Sequence, residues 1–123
     1  MRVDNMSYNL FDLSGSEWHS IRTLDGARKK AYSLIDGNPY RSTVFIYNGT
    51  RYLGTVQWFR TVEDRNRNIY KEHIVYMSGK NIWGLYNDGS TYKVQMKEET
   101  VRFVSKLVAD ARRTFHSEWE IRK

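Results

Sequence analysis

Between Tyr40 and Tyr92, short runs of β-branched and aromatic residues alternate with turn dipeptides: Thr43–Asn48, Thr50–Thr61, Lys71–Met77, Asn81–Asn87 and Ser90–Met96. Asn48-Gly49 and Asp88-Gly89 each separate two such runs, which is a strong local signal for a hairpin. The pattern predicts a five-stranded antiparallel meander over residues 43–96. On either side the apolar period changes to that of a helix. Ala27, Ala31, Leu34 and Ile35 recur at i, i+4, i+7 and i+8, with Asp25 as the expected N-cap and Gly37 and Pro39 as the stop. Ser14-Gly15-Ser16-Glu17 matches a capping box, so a helical segment is expected over 15–36. Val101, Val104, Leu107, Val108, Ala111 and Phe115 mark a longer helix over 97–115. Glu98-Glu99 at its start and Arg112-Arg113 at its end suit the helix macrodipole without any ligand. Residues 1–13 alternate loosely and suggest an N-terminal arm or an edge strand.

These elements describe a single α+β domain over 1–123, a five-stranded antiparallel meander with an N-terminal and a C-terminal helix. Two amphipathic helices need one apolar sheet face between them, so both are expected to pack on one face, leaving the other for binding or for pairing as a homodimer. Pairing across Asp88-Gly89 puts Trp83, Leu85, Tyr92, Val94 and Met96 together as core. Pairing across Asn48-Gly49 sorts the first hairpin less cleanly. Phe45, Tyr47, Tyr52, Val56, Trp58 and Arg60 share one side, while Val44, Ile46, Arg51, Leu53, Thr55, Gln57 and Phe59 share the other. Either the aromatic set is core, or Tyr47, Tyr52 and Trp58 lie outside beside Arg60.

Charge changes the picture through its distribution. The chain carries a formal +6, and residues 43–97 hold eight basic side chains against four acidic ones. The segments before and after are each balanced to within one charge. Eleven of the eighteen aromatic residues also fall between Tyr40 and Tyr92, so the strands combine rings with cations. That combination suits polyanions, because unstacked bases lie on aromatic faces while basic groups meet phosphates. The absence of cysteine removes disulfides, thiolate metal sites and cysteine nucleophiles, and fits a reducing, cytoplasmic setting. No signal-peptide pattern or membrane-length apolar run is present, so no membrane partner is expected.

Catalytic motifs are missing from the sequence. His19, His73 and His116 have no metal-ligand spacing, and neither a nucleophile elbow nor a phosphate or dinucleotide loop occurs. The expectation is a non-enzymatic binding module, with no cofactor and no metal. Its partner would be nucleic acid or an acidic protein surface, met by Tyr47, Arg51, Tyr52, Trp58, Arg60, Arg65, Arg67, Tyr86 and Lys93. The alternative is a small inhibitor or adaptor, of the kind phages and mobile elements encode, using the same anchors against a protein that handles nucleic acid. A small metal-independent ribonuclease is third, with His73, Tyr76 and Arg60 as candidates.

Overall fold

The computed structural model describes residues 7–120. The elements are β1 (Tyr8–Asp12), β2 (Glu17–Ile21), α1 (Leu24–Ile35), β3 (Thr43–Asn48), β4 (Arg51–Asp64), β5 (Ile69–Ser78), β6 (Asn81–Leu85), β7 (Thr91–Lys93) and α2 (Glu98–Phe115). A π-helical turn, His116–Glu120, follows α2. All seven strands form one antiparallel sheet in the order β2-β1-β3-β4-β5-β6-β7. The expected meander is its β3–β7 part; the N-terminal hairpin adds two strands to the five anticipated.

The capping-box residues do not start a helix. The Asp12 carboxylate takes the amides that a helix start would offer: its Oδ1 accepts from Ser14 N at 3.0 Å, Ser16 N at 2.9 Å and the Ser14 hydroxyl at 2.7 Å. The chain therefore turns back, and Glu17–Ile21 pairs with β1 as the edge strand. β1 itself lies inside the sheet, between β2 and β3, and the remainder of the anticipated N-terminal arm falls outside the described residues. Thr23, not Asp25, caps α1, its hydroxyl accepting from Gly26 N at 2.9 Å.

The helices lie on opposite faces, contrary to expectation. Ala27, Ala31 and Ile35 of α1 pack on Leu10, Val44, Ile46, Val56, Tyr76 and Leu85. On the other face, Ala111 and Phe115 of α2 meet Phe11, Phe45 and Tyr47, while Val104 and Val108 meet Phe59, Val75 and Met77. Consecutive residues such as Val44 and Phe45, or Val75 and Tyr76, enter opposite cores, as period-two side chains must when both faces are covered. Each face of the sheet's centre is thus covered by a helix, where one open face had been expected.

Two shifts of phase explain the mixed hairpins. Ile46 pairs with Gly54 and Tyr47 with Tyr52, so Leu53 bulges between them. One extra residue reverses the facing of everything beyond it. Tyr52 thus shares the α2 side with Phe45 and Tyr47, whereas Val56 and Trp58 turn to the α1 side. The turn itself is Gly49-Thr50, since Asn48 pairs directly with Arg51; Gly49 has φ +63°. In the second hairpin Trp83 faces Lys93 and Leu85 faces Thr91, not Tyr92. Its longer loop lets Gly89 touch α1: the Arg28 Nε donates to Gly89 O at 2.8 Å, and a Cβ at Gly89 would run into the Asp25 carbonyl oxygen. β7 ends at Lys93, and Met96 already packs in the α2-side core.

Candidate functional site

The two longest strands outrun their neighbours. β3 accompanies β4 as far as Gln57, with Ser42 O accepting from Trp58 N at 2.8 Å, and β6 accompanies β5 only from Val75. From Phe59 to Ile74 the chain is a two-stranded arm, and among the described residues neither strand has a ladder partner on its outer side. Six residues of strand on each side span about 20 Å. Trp58 N points outward, so by strand alternation Arg60 and Val62 present their backbone groups to that edge as well.

At the arm's base, Phe59 and His73 stack at 4.7 Å and 15°, and Phe59 meets Phe103 of α2 edge-on. His73 shares a hydrogen bond of 2.9 Å with the Thr61 hydroxyl. Burial, helped by the positive charge of Lys71, lowers the imidazole pKa against the opposing pull of Glu63. A cleft of about 650 Å³ separates this part of the arm from the start of α2. Farther out, Val62, Ile69 and Tyr70 are exposed, and the Arg60 guanidinium lies over the Tyr70 ring at 4.4 Å.

Arg65, Asn66, Arg67 and Asn68 make the tip and all four are exposed. Asp64 folds it: Oδ1 accepts from Asn66 N at 3.0 Å and Arg67 N at 3.3 Å, and Oδ2 lies 3.6 Å from Arg67 Nε. Asn68 completes the turn at φ +55°, a conformation asparagine tolerates better than most residues.

Of the residues singled out in the sequence, the arm and its root collect Trp58, Arg60, Arg65 and Arg67. Trp58 is half-buried there, and its indole Nε1 donates to Glu72 Oε1 at 3.0 Å. The others are scattered. Tyr47 is 4% exposed, packed among Phe11, Tyr52 and Phe115. Tyr52 is half-buried under the Arg112 guanidinium, 3.5 Å from its ring centre. Arg51 is exposed at the β3–β4 turn, and Tyr86 and Lys93 are exposed at the far side of the sheet, with Tyr86 against Tyr92 at 4.5 Å. The ribonuclease candidates do not assemble. His73 stacks on the α2 side, while Tyr76 is buried in the α1-side core under Arg28.

No family model, curated protein or solved structure matches this chain. Among the described residues, no group of three or more histidine and acidic side chains is placed to hold a metal, and no helix is long and apolar enough to cross a membrane. Reading the sequence missed Ile69, Tyr70, Val62 and Phe103. Ile69-Tyr70 follows directly on a polar turn, which is the signal that β5 begins two residues before Lys71.

Proposed function

We propose that this protein is a non-enzymatic binding module that engages a polyanion, nucleic acid first, through the arm rather than through the broad face of the sheet. The observation that carries this reading is the tip. Two guanidinium and two carboxamide side chains stand exposed at the end of a projecting two-stranded ribbon. Arginine pairs with a phosphate through two parallel N–H bonds, asparagine donates to phosphate oxygens, and a two-stranded ribbon is an element the major groove admits. Arg60 and Lys71, both exposed, extend the positive charge back along the arm. The test is binding to generic DNA and RNA across a salt series. Log affinity should fall linearly with log salt, by about 0.9 per phosphate contact on duplex. Arg65→Ala with Arg67→Ala should make the slope shallower by about one to two units and weaken binding evenly across sequences.

A second reading, a small inhibitor or adaptor acting on a protein, is favoured by the exposed Val62, Ile69 and Tyr70 on the arm, with Arg60 over the Tyr70 ring, and by the exposed Phe103 at its base. Tyrosine and arginine are frequent anchors in protein interfaces. Failure to bind DNA or RNA even at low salt would remove the first reading and leave this one. The enzyme reading has little support, since a general base needs a reacting group within reach and His73 is turned away from Tyr76.

A further inference from the structure

We infer that the nucleic acid taken by the arm is duplex and not single-stranded, an inference that rests on the reading above. Proteins that hold single strands lay successive bases on open aromatic faces beside a basic track. Here most of the rings suited to that task are buried or have one face taken up within the fold. Tyr47 is buried, Tyr52 lies under Arg112, Tyr70 lies under Arg60, and Tyr86 lies against Tyr92. Trp58 is half-buried on the α1 side with its indole nitrogen bonded to Glu72. Tyr40 and Phe103 are the exposed rings outside these pairs, one in the loop after α1 and one on α2, so they form no continuous platform.

The same stacking suits a duplex. A guanidinium resting on a ring keeps its N–H edge available and loses less freedom when it donates to a phosphate. Arg60 is held in this way by Tyr70. It sits five residues behind Arg65, about 17 Å along an extended strand. The major groove is about 12 Å wide between its backbones. Arg65 and Arg67 can therefore meet phosphates on one wall of the groove while Arg60 meets a phosphate on the other.

Fluorescence anisotropy with one labelled DNA of two helical turns, single-stranded and annealed to its complement, tests this on the full chain across a salt series. The expected result is tighter duplex binding at every salt concentration. The slope should fall by about two units in the Arg65→Ala/Arg67→Ala protein, and duplex affinity should be unchanged in Tyr40→Ala. Tighter binding of the single strand, with a loss of roughly 5- to 150-fold in Tyr40→Ala, is what base stacking would give. That outcome overturns the duplex inference, and the arm reading survives it only if Arg65→Ala/Arg67→Ala still makes the single-strand slope shallower. No binding of either form at low salt overturns both.

Discussion

β4 and β5 run through two different environments. Where they cross the middle of the sheet, Val56, Val75 and Tyr76 are sealed by helices on both faces and by neighbouring strands on both edges. A few residues farther along the same strands, Val62 is 49% exposed and Tyr70 is 44% exposed. The backbone geometry is continuous, so the difference comes from the surroundings. Beyond its root at Phe59 and Ile74, which pack into the two cores, the arm is held chiefly by strand pairing, whereas the centre gains apolar burial that makes up most of a fold's stability. The arm can change its surface chemistry with little effect on the core.

Two phenylalanines on α2 give the largest contrast. Phe115 is 1% exposed between Phe11 and Phe45, and Phe115→Ala should cost about 3–5 kcal/mol in urea unfolding. Phe103, half exposed beside the arm, should cost about 1–2 kcal/mol as Phe103→Ala, since only about half of its surface leaves water. Equal losses would mean that the arm's base belongs to the core.

Asp12 comes next. Burial pushes its carboxyl pKa up, but hydrogen bonds from Ser14, Arg41 and Ser16 and the charge of Arg41 outweigh that and bring it below the ordinary value. A depressed carboxyl stabilises the fold above its unfolded pKa, about 3.9, and loses that contribution as pH falls through the folded value. The urea midpoint should therefore drop below about pH 4, and Asp12→Asn should flatten that drop. At neutral pH, Asp12→Ala should cost about 2–3 kcal/mol. This is under the range for a fully buried pair, because Arg41 retains some exposure.

Effects on the arm should be smaller. Tyr70→Ala removes an exposed cation–π contact and should cost about 0.5–1 kcal/mol. The Arg65→Ala/Arg67→Ala protein should unfold within about 0.5 kcal/mol of the parent while its salt slope changes. A large stability loss there would end the separation between the arm and the centre.

How legible this was in the sequence follows from the range of the interactions involved. α2 and the β3–β7 meander depend on local period and turn chemistry, and both could be read directly. β1 and β2 could not, because Ser14-Gly15-Ser16-Glu17 satisfies a capping-box pattern as well as a turn. What decides between them is Asp12, which is held in turn by Arg41, 29 residues away. The facing of β4 was hidden by the Leu53 bulge, whose one sequence signal is Gly54 inside an otherwise continuous strand pattern. Arg65 and Arg67 were recognisable as a polar loop between strands. The arm was not, because its projection depends on where β3 and β6 stop.

Because the arm pairs only with itself, its reach is quantised. Removing Thr61 and Val62 together with their cross-strand partners Lys71 and Tyr70 would draw the tip inward by about 7 Å and leave every remaining side chain on its own face. Removing one residue from each strand would shorten it by half as much and turn the tip over. A partner that measures the arm's length would tolerate the first change in proportion to distance and reject the second outright.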